Sequence, residues 1–169
     1  MTYTQSLDFR FNKTLKTLLF GFLLLFLSGK VRIFFPFTPI PFTLQTAAVL
    51  FLGACFGKKL ASLSVFSYLA VGFTDILFNP AVGFLFGFLA AAYTVGFLTE
   101  KVEKMNSFKL FLILGLGNVI IHFFGICGAV FFLGGWERAF LLASLPFIAG
   151  DIVKIFLVMG FMSWKKSFS

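Results

Sequence analysis

Residues Leu110–Trp136 have the sequence LFLILGLGNVIIHFFGICGAVFFLGGW, which contains no Asp, Glu, Lys or Arg. Two other stretches, Ile33–Gly57 and Ile76–Thr99, also lack these charged residues. An α-helix needs about 20 predominantly apolar residues to cross the hydrocarbon core of a bilayer. Barrel strands alternate polar and apolar residues, and these stretches do not. They therefore predict an all-α integral membrane protein.

The composition of the whole chain agrees with this prediction. Of its 169 residues, 60% are hydrophobic and 12% are charged, whereas about 25% of the residues in a soluble domain are charged. We expect residues 1–169 to form a single membrane domain in the lipid bilayer. The net charge of +8 comes from residues placed between the apolar blocks, so it indicates orientation in the membrane and no nucleic-acid partner.

Charges, glycines and prolines divide the chain into six predicted transmembrane helices. Their approximate ranges are Leu15–Phe34, Thr43–Phe56, Leu60–Phe73, Ala81–Thr99, Phe108–Leu133 and Ala139–Ser163. The segment Phe35–Phe42 contains three prolines, which prevent a regular helix there.

The basic residues predict which side of the membrane each loop faces. Ten of them fall at the termini and in the second–third and fourth–fifth loops, and three fall in the opposite loops. The first group is Arg10, Lys13, Lys16, Lys58, Lys59, Lys101, Lys104, Lys109, Lys165 and Lys166, and the second is Lys30, Arg32 and Arg138. The positive-inside rule then predicts a multi-pass protein of the cell membrane with both termini in the cytoplasm.

Two ionisable residues, Asp151 and Lys154, lie within the last predicted span. A charge in the middle of a membrane costs at least about 2.5 kcal/mol, and residues at i and i+3 share a helix face. That face must point into the bundle. The pair is either a structural ion pair or part of a site for a polar ligand, and we favour the ligand site.

The proline-rich segment ends at two further polar residues. Non-helical backbone at membrane depth is tolerated where it is buried in protein or lines a cavity, so Phe35–Phe42 is interpreted as a lid, with Thr43 and Gln45 at its end. An ordinary outer connection is the alternative. Asn79 is a suitable N-cap for the fourth span and a candidate ligand contact, and Asp75 is expected to face water in the same turn.

Other motifs indicate packing, not chemistry. His122 is the one histidine of the chain and is interpreted as a hydrogen-bonded packing residue. Gly83 and Gly87 form a GxxxG pattern that permits close helix approach. Walker, GxSxG and HExxH motifs and metal-ligand spacings do not occur in the sequence, so we expect no enzyme activity, no catalytic residues, no metal and no cofactor.

Three segments carry a resemblance to a known family. They are Pro36–Thr46 (PFTPIPFTLQT), Asn79–Gly87 (NPAVGFLFG) and Pro146–Lys154 (PFIAGDIVK). The chain resembles the BioY family, the biotin-specific S components of energy-coupling factor (ECF) transporters, over about Thr14–Met162. Three features depart from the family: a short connection before Pro80, the residues Pro80-Ala81-Val82-Gly83 in place of Pro-Thr-Gly-Gly, and a first helix without the AxxxA pattern that docks on the coupling subunit.

The resemblance implies a six-helix S-component fold and biotin uptake. It implies biotin as ligand, bound by residues matching Asp151, Lys154 and Asn79, and a lid formed by the loop after the first helix. Thr43 and Gln45 complete our set of expected binding residues. The implied partners are an ECF transmembrane coupling subunit and ATPase subunits. Three alternatives remain: an S component for another vitamin, a small membrane enzyme using Asp151 and Lys154, and a structural subunit without ligand.

Overall fold

The structure, a computed structural model, describes residues 3–72 and 79–167. Helices make up most of this part of the chain. They are α1 (Tyr3–Lys30), α2 (Gln45–Val71), α3 (Val82–Lys101), α4 (Ser107–Leu133), α5 (Trp136–Ala143) and α6 (Ile148–Ser167). Two short antiparallel strands, β1 (Arg32–Ile33) and β2 (Phe42–Thr43), connect α1 to α2. The helical fold class is as predicted.

Four stretches of the described residues are long and apolar enough to cross a membrane. They are Gln45–Val71, Val82–Lys101, Ser107–Leu133 and Trp136–Trp164. This count confirms a polytopic membrane protein but does not confirm the predicted six spans. Large apolar side chains on the outer surface, such as Phe131 and Leu19, are exposed, as expected for a surface that contacts lipid.

Helix α2 consists of two arms, 45–56 and 58–71, that fold back on each other. Gly57 has φ 73° and ψ 173°, outside the helical region. The side-chain amide of Gln45 donates to the hydroxyl of Tyr68 at 2.6 Å, although 23 residues of straight helix would separate them by about 35 Å. Glu100 accepts a hydrogen bond from the Lys58 backbone N–H at 2.9 Å and so caps the second arm. The predicted break after Phe56 is therefore present.

The core lies between α2, α3 and α4, where side chains such as Val49, Leu114 and Ile121 are almost fully buried. Helices α3 and α4 approach closely at the two glycines of the GxxxG pattern. A Cβ at Gly83 would lie 2.1 Å from the carbonyl oxygen of Phe124, and one at Gly87 would lie 3.0 Å from the Cα of Ile121. The interpretation of this pattern as a packing motif is confirmed.

The boundaries of the first predicted span and of the following loop need correction. Helix α1 ends at Lys30, before the predicted Phe34, because Arg32–Ile33 pairs with Phe42–Thr43 as a β-ladder. Thr43 is therefore in a strand, and α2 begins at Gln45. The segment between the strands is non-helical, as its prolines predict. We call residues 32–43 the lid hairpin.

The last predicted span, Ala139–Ser163, is not one continuous helix. Helix α5 ends at Ala143, a 3-10 turn occupies Leu145–Phe147, and α6 begins at Ile148. Pro146 explains the break, because its ring removes a backbone donor and clashes with the preceding turn of a helix. Asp151 consequently lies in the first turn of α6, and not in the interior of one long helix, as the predicted span implied.

Candidate functional site

A cavity of about 510 Å³ opens between the lid hairpin and the helices. Its volume is typical of small-molecule sites. The polar or charged residues that line it are Arg32, Thr43, Gln45, Thr46, Tyr68, Asn79, His122, Asp151 and Lys154. Aromatic rings form much of the remaining wall, among them Phe42, Phe84 and Phe147. All five residues expected to bind ligand are therefore brought to one cavity.

Asp151 and Lys154 form a buried ion pair on the inner face of α6. The Lys154 ammonium donates to Oδ1 of Asp151 at 2.7 Å, and each residue is only 3% exposed. Asp151 is also close to the positive end of the helix dipole, which stabilises a carboxylate in the first turn. The predicted i,i+3 contact is present, and it points into the cavity.

His122 on α4 is part of the same network, beyond the packing role expected for it. Its Nε2 lies 2.7 Å from Oδ2 of Asp151, and its Nδ1 lies 2.9 Å from Oγ of Ser144. Because a carboxylate only accepts, Nε2 of His122 carries a proton and donates to Asp151. The serine hydroxyl can donate to or accept from Nδ1. Ser144, His122, Asp151 and Lys154 therefore form one continuous hydrogen-bonded network.

A second polar cluster lies where the lid hairpin meets α2. The Oγ1 of Thr43 accepts from the backbone N–H of Gln45 at 3.3 Å. Gln45, which is 8% exposed, donates to the hydroxyl of Tyr68 at 2.6 Å. Gly29 allows this contact, since a Cβ there would lie 2.8 Å from Nε2 of Gln45. The hydroxyl of Tyr68 still has a proton to donate toward the cavity.

Asn79 lines the cavity but does not cap α3 as expected. Its Oδ1 accepts from the backbone N–H of Ala81 at 2.9 Å, an Asx-type turn, and the helix begins only at Val82. The side chain is exposed, so its amide group remains accessible to a ligand. Asp75 lies outside the described residues.

The lid hairpin covers the ion pair through Phe42. The ammonium of Lys154 lies 3.7 Å from the centroid of the Phe42 ring, a cation–π contact, and this ring stacks on Phe147 at 6.0 Å. Gly150 leaves the space, since a Cβ there would lie 2.4 Å from Cζ of Phe42. The Phe42 ring of this hairpin therefore lies directly over the charged pair.

The cavity presents hydrogen-bonding groups to a ligand, whereas its described residues do not form a metal centre. Among the described residues, no group of three His, Cys, Asp or Glu side chains could hold a metal ion. The buried end of the cavity contains one acceptor group, the carboxylate of Asp151, and one donor group, the ammonium of Lys154, which are 2.7 Å apart. A neutral ligand group that has both N–H and C=O matches this pair.

Five polar residues of this site were not among the expected binding residues: Arg32, Thr46, Tyr68, His122 and Ser144. The proximity of His122 to Asp151 depends on how α4 packs against α6, and that of Tyr68 to Gln45 depends on the fold-back at Gly57. The one available signal was that a histidine inside an apolar helix requires a polar partner.

Comparisons with known proteins agree with the resemblance. The model of the BioY family matches residues 4–167. The biotin transporter BioY of Thermotoga maritima is 30% identical over 132 residues, which are 71% of this chain and 77% of that protein. The biotin transporter BioY of Rhizobium etli is 30% identical over 139 residues, 70% of this chain and 73% of that protein.

A solved structure shares the fold. The crystal structure of the S-component for biotin from an ECF-type ABC transporter superposes with a TM-score of 0.83, at 23% identity, and the match covers 99% of this chain and 95% of that one. The chain therefore has an S-component fold. Because the family model spans nearly the whole sequence, the chain belongs to the BioY family.

Proposed function

We propose that this protein binds biotin and is the substrate-binding subunit of an ECF-type vitamin transporter. One observation carries the proposal: in a chain of the BioY family, all five expected binding residues line one cavity. The relatives named as biotin transporters support it. Its role is uptake and not catalysis, and no cofactor takes part.

The chemistry of the cavity matches the ring system of biotin. The ureido group has two N–H donors and one carbonyl acceptor. Asp151 accepts from an N–H, Lys154 donates to the carbonyl, and aromatic walls such as Phe84 contact the apolar thioether ring. Asn79, Thr43 and Gln45 supply further hydrogen bonds. Buried polar groups that fit one ligand reject analogues that leave them unpaired.

We further propose that residues 1–169 form one domain that crosses the membrane six times. The spans are α1, the two arms of α2, α3, α4 and the α5–α6 unit. The arms are shorter than about 20 residues, so the bilayer thins locally or neighbouring helices cover them. The ion pair between Lys58 and Glu100 supports this topology, because it joins two loops assigned to the cytoplasm. Both termini then face the cytoplasm in the cell membrane.

The energy for uptake comes from other chains, namely an ECF coupling subunit and ATPase subunits. This partnership is supported by the absence of a nucleotide-binding motif from the sequence. The absence of the AxxxA pattern from α1 is a departure from the family and counts against the usual docking surface. Expressed alone in a host without a coupling module, the protein should bind biotin but accumulate it slowly or not at all. Full accumulation by the lone chain would contradict this partnership.

Retention of tritiated biotin by the purified protein tests the binding function. We expect stoichiometric retention that unlabelled biotin displaces and that a panel of other vitamins does not. Displacement by another vitamin at lower concentration would assign the protein to that vitamin instead. Failure to retain any vitamin in a monodisperse preparation would refute the proposed function.

A further inference from the structure

We propose that Arg32 binds the carboxylate tail of the ligand at the mouth of the cavity. This places a second recognition site on β1, away from the Asp151–Lys154 pair. The inference rests on the proposed function, because it takes biotin as the ligand.

The charges of the cavity require a cation other than Lys154. At the inner end of the cavity Asp151 and Lys154 neutralise each other at 2.7 Å. A ligand carboxylate placed there would face the carboxylate of Asp151. Among the described residues lining the cavity, Arg32 is the remaining permanent cation. An anionic tail at Arg32 pairs with the cation that the Asp151–Lys154 ion pair leaves unneutralised.

The lid hairpin holds the Arg32 side chain toward the cavity. Arg32 is paired directly with Thr43 across the β-ladder, and directly paired residues have their side chains on the same face of a ladder. Thr43 and Arg32 both line the cavity. The Nε of Arg32 donates to the carbonyl oxygen of Gly29, which fixes the guanidinium near the end of α1.

The donors of Arg32 suit a carboxylate. Within residues 3–72 and 79–167 the side chain of Arg32 makes its hydrogen bond through Nε, and its two terminal nitrogens carry four further N–H groups. A guanidinium binds a carboxylate with two parallel hydrogen bonds. Arg32 is exposed, whereas Asp151 and Lys154 are 3% exposed. The ligand therefore enters ring first and keeps its charged end at the mouth.

Comparison of biotin with its uncharged amide, biotinamide, tests this assignment. Affinities would be measured by competition against tritiated biotin for the wild type, Arg32→Gln and the control Lys30→Gln. Lys30 is a cation at the same end of α1, and its ammonium lies over the Phe26 ring at 5.0 Å, but it does not line the cavity. Phe26 lines the cavity but Lys30 does not, so the control removes a charge of the same sign from a residue outside the cavity lining.

We expect the wild type and Lys30→Gln to bind biotin about tenfold more tightly than biotinamide. This ratio corresponds to the free energy of one charge-assisted hydrogen bond at a solvent-accessible site. Arg32→Gln should bind biotin about tenfold more weakly and biotinamide unchanged. If Arg32→Gln keeps the preference for biotin, or weakens both ligands equally, the assignment of Arg32 is wrong while the biotin function stands. If the wild type binds neither ligand, the proposed function fails as well.

Discussion

Removal of the ion pair of Asp151 and Lys154 is the most direct test of the site. Lys154→Ala removes a charged donor, and a hydrogen bond to a charged group is worth about 1.5–3 kcal/mol. We therefore expect biotin affinity to fall by roughly ten- to hundredfold. The affinity can be measured by isothermal titration of the detergent-solubilised protein.

The single variant has a second effect that must be separated from the first. Both residues are 3% exposed, so Lys154→Ala leaves the carboxylate of Asp151 buried with His122 as its one described partner. Breaking a buried pair in this way costs about 3–5 kcal/mol of stability, a large part of a typical total of about 5–15 kcal/mol. A loss of binding by Lys154→Ala alone could therefore reflect unfolding.

The double variant Asp151→Leu with Lys154→Leu separates the two effects. Replacing a whole buried ion pair by apolar residues is often neutral, or stabilises the fold by about 1–4 kcal/mol. This gain offsets the cost of about 1–3 kcal/mol that arises because the Nε2–H of His122 loses its acceptor. We expect this variant to fold, with a thermal unfolding midpoint and a size-exclusion profile close to those of the wild type. It should bind no biotin at micromolar concentration.

The other described Lys–carboxylate ion pair provides the matched control. Lys58 and Glu100 are 3.4 Å apart, have side chains that are 30% and 43% exposed, and do not line the cavity. Lys58→Leu with Glu100→Gln removes both charges and keeps an acceptor for the backbone N–H, so biotin affinity should be unchanged. Retention of biotin binding by a well-folded Asp151→Leu, Lys154→Leu protein would refute the site.

Three further predictions address the neighbouring parts of the molecule. His122→Leu should lower biotin affinity about tenfold, because the carboxylate of Asp151 loses the donor that orients it. His122→Gln should restore part of the loss in the same titration. Equal affinities for the wild type and both variants would contradict this role. Gly150→Ala should speed biotin release in a chase experiment, since the new Cβ overlaps the ring of Phe42. Gly160→Ala is the control and should not change the release rate, because nothing lies within 4 Å of its Cβ. Equal release rates for the two variants would argue against the lid. Single cysteines near Arg138 should react with an impermeant reagent from outside the cell and those near Lys101 should not, and the reverse pattern would overturn the topology.

The helical class and the positions of the apolar segments could be predicted because their signals are local. The charge-free run Leu110–Trp136 predicts a helix that the structure places at Ser107–Leu133. Gly57 followed by two lysines predicts a break that is found as a fold-back. In each case hydrophobicity over about 20 residues, or one permissive backbone position, decides the local structure.

Features that depend on contacts between distant segments could not be predicted. Helix α1 ends early because Arg32–Ile33 pairs with residues about ten positions later, and two-residue strands have no recognisable pattern. His122 resembled a packing residue because its partners, Ser144 and Asp151, are 22 and 29 residues away. The candidate residues were found from their chemical type, whereas their supporting residues depend on the packing of α4 against α6.

The break between α5 and α6 links the fold to the chemistry of the site. A continuous helix would place Asp151 in its middle, where a charge has no favourable helix end nearby. After the 3-10 turn at Leu145–Phe147 a new helix begins just before Asp151, and Ser144 is left at the end of the old one, so each contacts one of the two ring nitrogens of His122. Pro146 ends the earlier helix and thereby places Asp151 in the first turn of the next. Because this carboxylate contacts Lys154 in turn, and the ammonium of Lys154 contacts the Phe42 ring, one helix break positions the carboxylate through which α4, α6 and the lid hairpin are connected.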